Sequence, residues 1–267
     1  MRKKAILFFL CLAVLSCSID KQKSKFGYID KTGKMVIKPQ FCDAWGFSEG
    51  LASVQIGNVV NGKFGYIDKT GIMVIKPQSD FPGIFSTGLV KVRIGGRWGY
   101  IDRTGEIVIR PRFDWSYDFS EGLARVRIGE KQGFINKRGE IVIEPMFEGA
   151  KEFSEGLAGV EMDYRCGFID KTGEIVIGPQ FYDIFLGFFE GLAAVKISDK
   201  WGYIDKTGNM VIEPQFDKAS IFVEGLAAVK ISDKWGYIDK TGNMVIEPQF
   251  DFTWGFTEGV AAVEILD

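Results

Sequence analysis

The chain has 267 residues, 33 of them Lys or Arg and 35 Asp or Glu, so its formal charge at neutral pH is −2. It contains no histidine, which removes Ser-His and Cys-His nucleophile pairs and every imidazole metal site. A weakly acidic balance also disfavours nucleic acid, whose phosphates demand clustered cations.

The N-terminus reads Met1-Arg2-Lys3-Lys4, then an apolar run from Ala5 to Ser16, then Cys17. Basic residues before a dozen weakly polar ones have the layout of a secretory signal peptide, short of the ~20 residues a spanning helix needs. Val14-Leu15-Ser16-Cys17 resembles a bacterial lipobox, which makes Cys17 the expected lipidation site; an ordinary signal peptide cut nearby is the alternative. Removing the leader 1–16 takes away three basic and no acidic residues, moving the net charge from −2 to −5. Residues 17–25 are polar and lysine-rich and suit a flexible tether at a membrane surface, with the membrane reached through the lipid anchor alone. The expected location is therefore exported and membrane-anchored, on the periplasmic face or the cell surface.

From Phe26 to Asp267 the chain repeats itself, and this stretch reads as one domain. Gly-[Tyr/Phe]-Ile-[Asp/Asn] recurs seven times, at Gly27, Gly65, Gly99, Gly133, Gly167, Gly202 and Gly236, a period near 34 residues that signals an array. Each copy continues through Thr-Gly (Arg138-Gly139 once), an apolar triplet such as Met35-Val36-Ile37, and a proline two residues on. Most copies then carry a phenylalanine and Glu-Gly-Leu-Ala-x-Val, with Thr87-Gly88-Leu89-Val90 the exception. Glu190 to Asp217 repeats without change as Glu224 to Asp251, the mark of a duplicated scaffold unit rather than of a singular catalytic centre.

Within one unit, Leu192 to Ile197, Trp201 to Asp205 and Met210 to Ile212 are runs rich in β-branched and aromatic residues separated by turn chemistry. They predict three antiparallel strands in a meander, with the segment from proline to Glu-Gly as a minimal fourth strand or a loop. Asp in Asp-Lys-Thr-Gly is read as a turn residue accepting backbone N–H groups, with Gly in the left-handed conformation. The proline is expected to end pairing after the third strand. Ala193, Val195 and Ile197 face one way and Leu192 and Ala194 the other, while Met210 and Ile212 face opposite Val211. Apolar faces on both sides require the sheets to stack. The fold expected is all-β: seven tandem meander repeats closed into a seven-bladed propeller-like ring, or left as an open array.

Lys200 to Gly208 and Lys234 to Gly242, reading Lys-Trp-Gly-Tyr-Ile-Asp-Lys-Thr-Gly, together with Met-Val-Ile-x-Pro-x-Phe and Phe-x-Glu-Gly-Leu-Ala-x-Val, resemble the WG-repeat (KWG-repeat) family of bacterial proteins. The resemblance spans Phe26 to Asp267 and implies a β-rich interaction module, often in exported or envelope proteins, with no catalytic residues to transfer. The naming Trp stands only at Trp98, Trp201 and Trp235, replaced by Phe26, Phe64, Gln132 and Cys166 elsewhere, which points to packing rather than a common ligand.

Binding is expected where the repeats stop agreeing. Four residues after the Phe, or at the aligned position, stand Trp45, Tyr117, Lys151, Phe185, Ser220 and Trp254. Trp45, Tyr117, Phe185 and Trp254 form the candidate binding rim, with Trp45 and Trp254 flanking one another in a closed ring; the alternative is that these rings seal the core. Two irregular segments are candidate contact elements: the long connection Gly57 to Lys63, and a one-residue insertion with Leu186, Phe188 and Phe189. Cys42 and Cys166 sit at unrelated repeat positions, so spacing specifies no disulfide. No cofactor or metal motif is present, and no catalysis is expected. The function expected is a scaffold binding an envelope protein or polysaccharide; the alternatives are a spacer lipoprotein, or a carbohydrate-active enzyme using Asp118, Asp183 or Glu190.

Overall fold

A computed structural model describes residues 25–57 and 61–266. The expected leader 1–16, the expected lipidation site Cys17 and all but the last residue of the expected tether 17–25 lie outside the described residues, as do 58–60 of the long connection. The chain divides into two compact units, Met1–Pro82 and Gly83–Asp267.

The first unit holds a two-stranded sheet, Phe26–Ile29 with Met35–Phe41. Beside it stands a four-stranded antiparallel sheet of Asp43–Ser48, Leu51–Ile56, Lys63–Ile67 and Met73–Ser79. The second unit opens with three strands, Leu89–Ile94, Arg97–Asp102 and Ile107–Phe113. Three four-stranded meanders follow, over 115–147, 149–181 and 183–216, then a fourth over 218–250 and a two-stranded pair, Phe252–Thr253 with Val263–Glu264. In every four-stranded sheet the strands lie in chain order, the antiparallel meander of a propeller-like blade. The segment between the Phe and Glu-Gly supplies the fourth strand, as short as Lys218–Ala219.

The core lies between consecutive sheets. Tyr100, Ile109 and Phe113 of one sheet close on Ala124, Val126 and Ile135 of the next. Phe168, Ile177 and Phe181 close in the same way on Ala193, Val195 and Ile204. A single sheet would leave one such face in water, so each repeat takes its stability from its neighbour. Trp98 and Trp201 are both buried in these interfaces. Val211 points to solvent as the period requires, but Met210 packs toward the preceding interface and Ile212 toward the following one. A register shift between the pairs Tyr203↔Ile212 and Ile204↔Met210 separates the two side chains that simple alternation had put together.

The proline slot also departs from expectation. Strand Met210–Phe216 runs through Pro214, and Phe216 still pairs with Trp201. Between the pairs Trp201↔Phe216 and Tyr203↔Ile212, Gly202 alone faces Glu213, Pro214 and Gln215, so the proline sits in a bulge where its missing N–H is not needed. A Cβ on Gly202 would stand 2.5 Å from the Ile212 carbonyl oxygen and 2.9 Å from the Pro214 nitrogen. The Trp-Gly glycine and the proline are two halves of one device.

Candidate functional site

Turn chemistry first accounts for most of the repeated polar residues. In Asp205-Lys206-Thr207-Gly208, Asp205 Oδ1 accepts the Thr207 N–H at 2.9 Å, the Thr207 hydroxyl at 2.6 Å and the Asn209 N–H at 3.0 Å. The Thr207 hydroxyl, followed by the backbone donors, holds this carboxyl below the ordinary aspartate range. Among the described residues no group of His, Cys, Asp or Glu is placed to hold a metal ion.

The Glu-Gly pair forms a two-residue hairpin turn with both residues at positive φ, for example Glu121 at 51° and Gly122 at 91°. A non-glycine residue held there costs about 1–2 kcal/mol, and its carboxylate explains the choice. Glu121 Oε2 accepts the Gly156 N–H of the next turn at 3.0 Å, Glu155 that of Gly191 at 3.1 Å, and Glu190 that of Gly225 at 3.1 Å. Lys171, Lys206 and Lys240 then donate to the main-chain oxygens of Glu121, Glu155 and Glu190. This ladder ties successive repeats together and engages Glu190, one of the carboxylates considered for catalysis. Of the other two, Asp118 pairs with Lys91 at 3.3 Å and Asp183 accepts the Ile184 N–H at 2.8 Å.

Beside the ladder lie the variable positions four residues after the Phe. At three of them the backbone is fixed from two sides. Tyr100, Tyr203 and Tyr237 donate their hydroxyls to the main-chain oxygens of Tyr117, Ser220 and Trp254 at 2.6, 2.9 and 2.8 Å. In the first unit Tyr28 does the same for Trp45 at 2.8 Å. The N–H groups of Tyr117, Lys151, Ser220 and Trp254 donate to Arg125, Gly159, Ala228 and Ala262. A backbone held in this way presents whatever side chain it carries. Trp45 is 41 %, Phe185 42 % and Trp254 58 % exposed, while Tyr117 is half-buried. Trp45 lies in the first unit and the other three in the second.

Phe252 makes a perpendicular contact with Trp254 at 5.0 Å, and Phe185 one with Trp201 at 6.5 Å. Tyr117 belongs to a longer run: Trp98 meets Trp115 at 5.2 Å, Trp115 meets Tyr117 at 6.4 Å, and the Arg125 guanidinium stands 3.5 Å over the Tyr117 ring. Arg125 also bonds Gln132 and the Ala150 oxygen, while its Nε has no partner among the described residues. Burial pushes the Glu152 carboxyl upward; Arg125 opposes that shift and Asp118 adds to it.

The second contact segment divides. Leu186 is exposed and Phe189 half-buried, but Phe188 is fully buried against Phe168 at 4.8 Å and belongs to the core. It fills the slot of Phe119, Phe153 and Phe222, two residues before each Glu. In the first unit, Gln55 reaches into the long connection by donating to the Gly62 oxygen at 2.9 Å. Cys42 and Cys166 are free thiols. Burial, then Asp183 and Glu161, pushes the Cys166 thiol up to about 11, well away from nucleophile chemistry. Trp115, Phe252, Arg125 and Glu152 were not picked out from sequence. Trp115 and Phe252 share one repeat position, two after the Phe, and aligning that position would have exposed them.

Repeated antiparallel sheets, an inter-repeat ladder and a variable displayed position define a tandem β-repeat protein of the propeller-like class. The chain belongs to the family of WG-containing repeats, whose model matches residues 26–59, 64–98, 98–131, 133–166, 167–201, 201–235 and 235–267. No curated protein sequence matches it. Among solved structures it is similar to a eukaryotic initiation factor, with 11 % identity over 84 % of this chain and 72 % of that one, at a TM-score of 0.54. It is also similar to Hsv2p of Kluyveromyces lactis, with 12 % identity over 74 % of each chain, at a TM-score of 0.48. At such identities the initiation factor speaks for the fold alone.

Proposed function

We propose that this protein is a non-catalytic scaffold that binds another protein through its displayed side chains, held at the bacterial envelope by lipid on Cys17. One observation carries the reading: a tyrosine hydroxyl and a strand N–H fix the backbone at Tyr117, Ser220 and Trp254 while the side chain changes from repeat to repeat. Positions constrained by folding agree; these do not, and at Trp45, Phe185 and Trp254 they put large aromatic surface in water. Rigid exposed aromatics are the common anchors of protein interfaces, because they bring area with few rotatable bonds.

The test uses purified protein on beads with envelope extract and compares wild type with Trp45→Ala, Phe185→Ala and Trp254→Ala, after circular dichroism has established that each variant folds. The reading expects one or more captured proteins whose yield falls about tenfold in a folded variant, the equivalent of about 1.4 kcal/mol. Equal capture by all variants, or capture of polysaccharide alone, would reject it. Labelling with a fatty-acid analogue that reaches wild type but not Cys17→Ser tests the anchor.

A further inference from the structure

One group of departures from the repeat is not absorbed by the displayed row. In the second unit, the residue before each strand proline is Glu144, Gly178, Glu213 or Glu247, but in its first sheet it is Arg110, a cation as are Lys38 and Lys76 of the first unit. The residue after the proline is Met146, Gln180, Gln215 or Gln249, but there it is Arg112. The turn packed against that strand reads Asn136-Lys137-Arg138-Gly139, where the other turns of this unit read Asp-[Lys/Arg]-Thr-Gly. Each departure adds positive charge or removes negative charge, and Arg110, Arg112 and Arg138 line one cleft of about 360 Å³ together with Val108.

Folding does not require these cations. Asn136 Oδ1 accepts the Arg138 N–H at 2.9 Å and the Glu140 N–H at 3.1 Å, so the turn closes as the others do without the Arg138 side chain. Arg138 pairs with Glu140 at 2.9 Å, but the two side chains are 79 % and 58 % exposed, a pair worth little in water. Arg112 donates to the Gly139 oxygen at 2.6 Å and leans on the Phe113 ring, which fixes one wall. Arg110 is exposed and has no ion-pair partner among the described residues. Glu140 is the one acidic group in the lining, and it is engaged by Asn136 and Arg138.

We propose that this cleft binds an extended, acidic segment of a protein partner. Arg110 and Arg112 flank Pro111 on one strand and both side chains are exposed at the cleft, so one wall offers two guanidinium groups to the carboxylates of an extended peptide. Guanidinium forks suit carboxylates in a paired geometry. Val108, 43 % exposed at the cleft, adds apolar surface beside the two arginines. The site is separate from the displayed aromatics and does not depend on their role.

The test is fluorescence anisotropy on the purified full chain with a labelled Ser-Glu-Val-Glu-Val-Glu-Ser peptide and its Gln-for-Glu counterpart. The Glu peptide binds, the Gln peptide binds at least about tenfold more weakly, and binding weakens as salt shortens the screening length. Arg110→Glu lowers affinity at least about tenfold, whereas Lys218→Glu, an equal change in charge elsewhere, lowers it less than about twofold. Arg138→Thr alone restores the residue of the other turns, so it folds and still weakens binding. The proposal is overturned if wild type does not bind, if both peptides bind alike, or if the arginine variants fall no further than Lys218→Glu. Displacement of the peptide by lower concentrations of a uronic-acid oligosaccharide would overturn the choice of a peptide.

Discussion

Replacing Gly202 with alanine should be among the most damaging small substitutions in the second unit, for a reason that lies across the strand pair. The added Cβ would stand 2.5 Å from the Ile212 oxygen, 2.9 Å from the Pro214 nitrogen and 3.0 Å from the Glu213 carbonyl carbon. Carbon–oxygen contacts settle near 3.3 Å, so the opposing backbone must retreat by about 0.8 Å. That backbone cannot retreat freely, because Trp201, Tyr203, Ile212 and Phe216 are all packed in one interface. Overpacking of this kind costs about 1–3 kcal/mol, and loosening the adjacent ladder bonds adds about 1 kcal/mol each; we expect a loss of about 3 kcal/mol. Two controls isolate the cause. Gly122→Ala has open space but a φ of 91°, and should lose about 1–2 kcal/mol. Gly178→Ala has neither obstacle, and should be neutral or stabilising by about 0.4–1 kcal/mol. Urea unfolding followed by fluorescence, with midpoints compared where the slopes agree, reads all three. If Gly202→Ala matched Gly178→Ala, the bulge would not be the reason for the glycine.

The remaining predictions concern charge and the displayed backbone. Asp205 titrates below its unfolded value, chiefly because the Thr207 hydroxyl donates to it, so its contribution is present above about pH 4 and disappears as pH falls through the lowered value. Asp205→Asn, which copies Asn136, should keep the fold at neutral pH and reduce the acid-induced fall in the unfolding midpoint; an unchanged acid profile would contradict this. Glu152 titrates above its unfolded value because of burial, so stability falls as pH rises through the unfolded value toward the folded one. Glu152→Gln should therefore be more stable than wild type at pH 7 and equal to it in acid; a less stable variant at pH 7 would show that pairing with Arg125 outweighs burial. Tyr237→Phe removes the donor to the Trp254 oxygen and should cost about 1 kcal/mol. It should also speed hydrogen exchange at the Trp254 N–H, and unchanged exchange would deny the tyrosine its role in fixing the displayed position.

What the sequence disclosed was whatever depends on neighbours along the chain. The Asp-Lys-Thr-Gly turn needs only Asp205, Thr207 and Gly208, so its bonds followed directly from their spacing. Pro214 has the local signature of a strand end, and only the pairing of Phe216 with Trp201 across a bulge shows that the strand continues through it. Counted forward from Phe181, Phe188 falls beyond the displayed Phe185 in the candidate contact segment. Counted backward from Glu190 it falls in the core slot of Phe153, and the strand takes up the extra residue between Ile184 and Phe188. The charges around Tyr117 come from different repeats: Lys91 and Arg125 occupy the variable slot of Leu-[Ala/Val]-x-Val that elsewhere holds Ser53, Gly159, Ala194, Ala228 and Ala262. That contrast was visible in the repeats, but its meaning depends on which sheets are adjacent. The positions displayed by Tyr100, Tyr203 and Tyr237 were found as variable residues, while the bonds that hold them appear only in three dimensions.

The most direct test of the account places a photo-crosslinking amino acid, one at a time, at Trp254, at Phe185 and at the non-displayed Met146, which is as exposed as Trp254, and irradiates the protein in intact cells. The account predicts one common protein adduct from the displayed positions, competed by untagged wild type and absent at Met146. Adducts of the same identity and yield from Met146, or none from any displayed position, would contradict it.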